Sequence, residues 1–572
     1  MPSLTRLRKR LARPKTSWQL CLLALIGGSA SALLIVLFLL SIKAIQQLYG
    51  IERHDYSSLD MLSRFDLPII GALVILLFAW ATGYKYLRTG IPFVLHQLKV
   101  AHGVIPLRNS LNQFWGSAVA LASGFSVGKE GPAVHLGAAC SSYIGNKLRL
   151  PFNSVRILCA CGIAAGISAT FNTPVAAVIF VMEVILRDYK VHIFIPVMLA
   201  SMVGSLITSS IFGPAHEFEF LQKIALEVQH YPYLILLGIV LGILGYLFNR
   251  YLMLIIKYSA KLHIVTRLMV AALITGSLGY IVPFAMGSGL GSLDFSLTHQ
   301  WQLELLVALL IAKFLMTIFA LGLGIPGGII GPVLTIGAIA GVCMSSIALQ
   351  FFPTNPLGND LALMGMAGLL AATLNAPLTA LLTVMELSNQ IEIIVPAMIV
   401  ITTASLVSGQ FFKNRSIFIM QLEIQGLTYN KQPIEKSLQK IGVLALINEN
   451  FKVKPSMLKA DIDQLHIDDN ELCLIIKNSS HTNSQANTIV PPEFYWVEFF
   501  ENKHTDKNIP SKTIHHKLTA MSCQSTLDQA YSILVNQRSG GVYIYDKTPY
   551  DIMGFITFEQ IRLYLVEGKL NS

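Results

Sequence analysis

Lys129 and Glu130 stand side by side in FSVGKEGPAVHLG, Phe125 to Gly137, within a half of the chain that is otherwise apolar enough to live in lipid. Ionisable groups at such depth are functional candidates by default, because hydrocarbon tolerates them only with partners. Three chemistries compete for the pair. As a structural ion pair they are badly arranged, since sequence neighbours do not face each other on a helix. As a phosphate loop, GFSVGK fails twice: the spacing from Gly124 to Gly128 is one residue short, and Glu130 stands where Ser or Thr must hold magnesium. The third chemistry is competition. A Glu130 carboxylate that occupies the same helix ends as a travelling anion plugs the path when ionised and clears it when protonated, which makes Glu130 a pH-sensitive gate.

A site of that kind needs helices that begin inside the membrane. Proline fits the first turn of a helix, where no N–H partner is lost. Pro92 in TGIP, Pro132 in EGP and Pro332 in IGP each follow a glycine and precede an apolar stretch, so each is expected to open a helix. Each such start leaves about four backbone N–H groups without partners and roughly half a positive charge. Three of them converging, with glycines letting an ion approach the backbone, bind an anion through dipoles, firmly enough to admit it and weakly enough to release it.

The rest of the chain agrees with a membrane setting. Of 572 residues 13% are charged and 53% hydrophobic, and the mean hydropathy is +0.59. Long apolar runs dominate residues 18–425, whereas 426–572 carry no run long enough to cross a bilayer. The basic segment RLRKRLARPK precedes the apolar run Trp18–Ile45 and prefers the cytoplasmic side, making residues 1–17 a cytoplasmic amino terminus. Ala30-Ser31-Ala32 mimics a signal cleavage site, but LLIVLFLL follows at once, so an uncleaved membrane helix is expected. The net charge of +10 needs no nucleic acid, since basic cytoplasmic segments account for it. The seven cysteines show no metal-ligand spacing and read as packing residues. No cofactor or metal is implied, and no nucleophile, base and orienter set marks an enzyme.

The body also repeats itself. AGISATFNTPVAAVIFVMEV, from Ala165, returns as AGLLAATLNAPLTALLTVMEL, from Ala367, with Asn172/Asn375, Pro174/Pro377 and Glu183/Glu386 offset by 203. EGPAVHLG returns as IGPVLTIG, with Gly131/Gly331, Pro132/Pro332 and Gly137/Gly337 offset by 200. Two aligned blocks divide the body at about 18–215 and 229–425. Repeats of Gly- and Pro-interrupted apolar segments are a transporter plan, and their spacing leaves open whether they are parallel or inverted.

GKEGPAVH, RTGIP at Arg88 to Pro92, GIPGGIIGP at Gly324 to Pro332 and the two N-x-P…ME blocks together resemble the CLC family of chloride channels and chloride/proton exchangers. The resemblance implies an all-α polytopic body of broken helices in two inverted halves, a homodimer with one pore per subunit, and chloride held by backbone N–H groups. It implies a multi-pass protein of the cell (inner) membrane, in the lipid bilayer, with both termini cytoplasmic. Glu130 matches the gating glutamate. The anion-binding positions it implies are Thr89, Gly90 and Ile91, then Gly128, Lys129 and Gly131, and then Ile329, Ile330 and Phe418. Thr89 replaces a serine, Ile330 a phenylalanine, and Phe418 a tyrosine whose hydroxyl is thereby lost. In exchangers an acid that relays protons commonly follows the residue matching Glu183; here Val184 stands there, as in channels. Glu183 itself, matched by Glu386, is expected at a helix end in a structural role. His135 is expected to be packing. The function implied is chloride transport, channel-like or weakly proton-coupled; alternatives are an antiporter with another proton path and, more distantly, a secondary transporter of another solute.

The tail reads as α/β. TLDQAYSILVNQ opens with a capping box at Thr526 and Gln529, GGVYIYD reads as a strand, and GFITFEQI repeats the step at Thr557 and Gln560. Residues 510–568 are thus similar to one CBS motif, with a poorly matching partner in 436–500 and a polar loop, ENKHTDKNIPSK, between. Nucleotide-binding versions carry an Asp where this chain has Gln560, so a nucleotide on the tail is unsupported.

Overall fold

The computed structural model describes all residues except 1, 52–55, 84–88, 214–225, 300–301, 351–356, 428–432, 456–472, 479–492, 501–511 and 568–572. Arg88, and all but the last residue of the expected loop ENKHTDKNIPSK, lie outside the described residues. The chain forms two compact units. One comprises Leu20–Asn146 and Arg156–Tyr429; the other gathers Met1–Gln19, Lys147–Val155 and Asn430–Ser572.

The amino-terminal α1 (Pro2–Ala12) belongs to the second unit. The first is helical throughout. Its first half holds α2 (Trp18–Leu48), α3 (Met61–Thr82), α4 (Gly90–Val100), α5 (Leu107–Ala122), α6 (Glu130–Lys147), α7 (Phe152–Phe171), α8 (Pro174–Phe180) and α9 (Val191–Phe212). Its second half holds α10 (Tyr231–Ser259), α11 (Ile264–Ile281), α12 (Leu290–Thr298), α13 (Leu303–Leu323), α14 (Ile330–Ala348), α15 (Gly358–Leu374), α16 (Pro377–Ser388), α17 (Ile394–Leu406) and α18 (Ile417–Ile424). Nine helices among the described residues are long and apolar enough to cross a membrane, and the chain is a multi-pass membrane protein. In α7 and α14 the most apolar window is 94% and 83% buried, against 39% in α3 and α9. The former are wrapped by protein; the latter turn apolar faces outward, where lipid satisfies them.

The N-x-P signature is a helix stop followed by a helix start. Asn172 and Asn375 adopt φ of +57° and +54° just past α7 and α15, and each N–H bonds back four residues, to Ser168 at 2.8 Å and Ala371 at 2.9 Å. Pro174 and Pro377 then open α8 and α16 at their first position. The same repeat sets the closest crossings. A β-carbon on Gly137 of α6 would strike the carbonyl of Gly162 on α7, and one on Gly337 of α14 that of Gly365 on α15, so backbone touches backbone where both residues are glycine.

The halves meet at the loops before α6 and α14. Gly128 N–H donates to the Gly328 carbonyl at 2.8 Å and Gly328 N–H to the Gly128 carbonyl at 2.7 Å, an antiparallel bridge between residues 200 apart. Mutual exchange between equivalent residues is the relation of two halves turned about a two-fold axis, and so the repeats are inverted.

In the second unit, α19 (Pro433–Leu438) precedes six strands in the order β1 (Phe451–Pro455), β2 (Cys473–Asn478), β3 (Glu493–Phe500), β4 (Lys512–Ser522), β5 (Gly541–Tyr545) and β6 (Ile552–Thr557), with α20 (Leu527–Leu534) and α21 (Phe558–Glu567) completing it. β1–β2 and β4–β5 are parallel, and the other pairs antiparallel. Helix, strand, strand, helix from α20 to α21 is the order expected of a CBS-like unit. Both caps form: Thr526 N–H donates to Gln529 at 3.1 Å and Thr557 N–H to Gln560 at 2.9 Å. Buried Arg8 of α1 donates to Asp546 at 2.9 Å and to the Leu148 carbonyl at 3.2 Å, tying the amino terminus to the sheet and to the 147–155 loop. Burial, and then Asp546 beside it, push the Cys523 thiol up to about 11, which keeps it protonated and inert at neutral pH.

Gly137→Ala and Gly337→Ala should each cost about 1–3 kcal/mol by forcing two backbones apart. Gly409→Ala, with nothing within 4 Å of the new carbon, should be neutral. Thermal unfolding in detergent reads the difference, and equal midpoints for all three would remove the close crossings as a stabilising contact.

Candidate functional site

Each proline expected to open a helix stands third in one: Pro92 in α4, Pro132 in α6 and Pro332 in α14. No side chain caps the first turn of α4 or of α14 among the described residues. Around these ends lies a cavity of about 570 Å³ whose wall includes Thr89, Gly90, Ile91, Gly131, Ile329 and Phe418. Six of the expected anion-binding positions therefore share one cavity, although they come from four separate stretches of sequence. Phe418, in the first turn of α18, is almost fully buried and brings a ring without a hydroxyl to the cavity wall.

Glu130 and Ile330 lie on a different, much smaller void of about 20 Å³, shared with Phe171, Thr173 and Thr379. Glu130 is 1% exposed. Its carboxylate lies against the bare backbone of Gly128, Gly328 and Gly331: a β-carbon on Gly328 would come within 2.9 Å of Oε2 and one on Gly331 within 2.8 Å of Oε1. Gly331 is the second residue of α14, so the carboxylate sits at the amino end of that helix. Gly128 bridges to Gly328 and its lack of a side chain makes room for the carboxylate. Lys129 is half-buried, with Nζ 4.9 Å from the centre of the Phe171 ring, and lines neither void. His135 is fully buried and stacks on Phe93 at 5.4 Å.

The two repeat glutamates do something different. Leu378 and Thr379 N–H groups donate to Glu183 at 3.3 and 2.7 Å, and Val175 and Ala176 N–H groups to Glu386 at 2.9 and 2.7 Å. Each carboxylate thus caps the first turn of the other half's short helix, α16 for Glu183 and α8 for Glu386. The pattern is symmetric except that the Thr379 hydroxyl adds a bond to Glu183 at 2.6 Å where Ala176 has nothing to add. Val184 is buried in the π-helical turn Val181–Leu186 that extends α8.

Three polar residues of this region were not singled out from sequence. Gln421 lies one turn beyond Phe418 on the cavity wall, a spacing of three that could have flagged it. Arg267 lines the same cavity, and Lys313 is fully buried in α13, its ammonium donating to the carbonyls of Ala285 at 3.0 Å and Gly287 at 2.7 Å. Both were visible as charges within apolar runs.

A family model described as Voltage gated chloride channel matches residues 69–409. The fold is shared with a slow cyanobacterial Cl⁻/H⁺ antiporter at 22% identity and a TM-score of 0.64, covering 71% of this chain and 98% of that one. A CLC-type fluoride/proton antiporter matches at 22% identity and a TM-score of 0.59, covering 70% and 97%. A eukaryotic CLC transporter matches at 19% identity and a TM-score of 0.57, covering 95% and 98%, a span that extends into the tail.

Glu183→Gln and Glu386→Gln should each destabilise by about 2 kcal/mol, because an amide presents one acceptor and a misplaced donor to two N–H groups that share a carboxylate. Both thermal midpoints should fall, that of Glu183→Gln somewhat further because Glu183 also accepts from the Thr379 hydroxyl. Glu183→Gln with an unchanged midpoint but altered proton-linked flux would sink the capping role.

Proposed function

The chain belongs to the voltage gated chloride channel family, and from that premise we propose that small anions, chloride first among them, cross between the amino ends of α4, α6 and α14 past a Glu130 gate. It is an anion transport protein and not an enzyme. The observation that carries the gate is the Glu130 carboxylate lying against the backbone at the amino end of α14, beside the cavity that Gly131, Thr89 and Ile329 share. An ionised carboxylate there offers those N–H groups what a chloride would offer them, and the two exclude each other. Protonation removes the competing charge. Thr89 contributes a hydroxyl beside the path, Phe418 a non-donating wall, and Gly90, Ile91, Ile330 and Gly131 backbone; Lys129 adds positive charge near Phe171.

Val184 cannot carry a proton, so movement is channel-like or weakly proton-coupled. Antiport by another proton route is the second reading, favoured by the Cl⁻/H⁺ and fluoride/proton antiporters among the fold's relatives. We place both termini in the cytoplasm of a cell (inner) membrane protein: α1 and the tail belong to one unit, and the amino terminus is strongly basic. The subunits pair as a homodimer, each with its own pore, and the tail at 510–568 is a CBS-like module on a body spanning 18–425.

In liposomes of the purified chain, chloride should pass and potassium should not, and Glu130→Gln should give chloride flux that varies little with pH. Full wild-type pH dependence in that variant would remove Glu130 as the gate. With a fixed chloride gradient, an imposed pH gradient should shift the reversal potential far less than fixed-stoichiometry exchange requires. Uphill proton pumping driven by chloride alone would instead establish the antiport reading.

A further inference from the structure

The wide cavity contains a charge that the pathway above leaves without a task. Arg267, the fourth residue of α11, is half-buried in its wall. Its Nε donates to the Leu323 carbonyl at 3.0 Å, at the carboxyl end of α13. Next to it is Gly324, at φ +99°, where a β-carbon would come within 2.9 Å of Nη2; the guanidinium fills the space of a missing side chain. Capping α13 uses one N–H of the five that a guanidinium offers. The Nη groups have no protein acceptor among the described residues, and no Asp or Glu is among the described lining residues.

The dimensions matter too. About 570 Å³ is far more than a bare halide needs, with each water taking about 30 Å³. An anion out in this space keeps most of its water, whereas backbone N–H groups act only on one that has come to hydrogen-bond distance of a helix end. A full charge on the wall acts at longer range, the more so where low-dielectric walls focus its field.

Resting on the anion pathway proposed above, we infer that Arg267 forms a second anion site, a staging position for a hydrated halide on the cavity wall, distinct from the helix-end site beside Thr89, Ile329 and Phe418. The staging site sets how readily an anion enters, and the helix ends set how fast it passes. Arg267 therefore governs KM for the anion and leaves the maximal rate largely alone.

The test is the chloride dependence of flux in liposomes for the full chain and for Arg267→Gln and Arg267→Lys. Arg267→Gln should raise KM for chloride about tenfold with a maximal rate close to wild type, and should flatten the fall of flux with added impermeant salt. Arg267→Lys, which keeps the charge but loses the planar fork, should recover most of the wild-type KM. An unchanged KM in Arg267→Gln would overturn the site. So would Arg267→Lys matching Arg267→Gln with both losing maximal rate and thermal midpoint, since that is the signature of a lost α13 cap. If the wild type carries no anion, the pathway reading fails on its own terms. Thermal stabilisation of the detergent-solubilised protein by chloride then decides the binding claim: its loss in Arg267→Gln and return in Arg267→Lys supports the site, and its persistence in Arg267→Gln refutes it.

Discussion

A helix that begins inside an apolar medium exposes N–H groups that must be met by negative charge. Much of the body's design follows from how five such starts are met. Two of them, α8 and α16, receive permanent carboxylates, each from the opposite half. Three, α4, α6 and α14, surround open space and the Glu130 side chain. The chemical difference is small: a glutamate lies in both places. The difference in consequence follows from tethering. Glu183 and Glu386 each span two adjacent N–H groups and neutralise them for good, whereas Glu130 meets an end that in the proposed pathway an ion can also meet.

Inversion is what lets those ends converge. A helix points its amino end in one direction only, so a copy repeated in parallel would aim all its positive ends at the same side of the membrane. Turned about a two-fold axis, the second copy aims them back, and α6 and α14 can face a common centre. The Gly128–Gly328 exchange marks that centre, and the glycine crossings of α6 on α7 and α14 on α15 hold the two starts close. Larger residues at Gly137 or Gly337 would push apart the very helices whose ends have to meet.

Much of this was legible before any coordinates. The three prolines marked the helix starts because their missing N–H costs nothing there, and the offsets of 203 and 200 marked the repeat. The matched glutamates announced a shared helix-end role, and the geometry adds what spacing could not supply, namely that each caps the other half. Cross-capping is a tertiary relation with no local signature. The same holds for Arg8 reaching Asp546, 538 residues away, and for Lys313 holding two carbonyls of a distant turn. Arg267 was readable as a charge in an apolar run, but its cavity exists only where α11, α13 and α4 meet.

In the proposed pathway, the departures from the family pattern shift the work of binding onto backbone and long-range charge. With Phe418 offering no hydroxyl and Thr89 offering one that is crowded by a methyl, side-chain donors contribute less, and the helix ends contribute more. Dipolar ends hold an anion less tightly than a full charge would at the same distance, which suits rapid release but weakens capture at low concentration. A half-buried arginine on the cavity wall, in the staging role inferred for it, compensates at the stage where capture is decided. Capture and passage are in this way assigned to different parts of one cavity, the first to a charge and the second to dipoles.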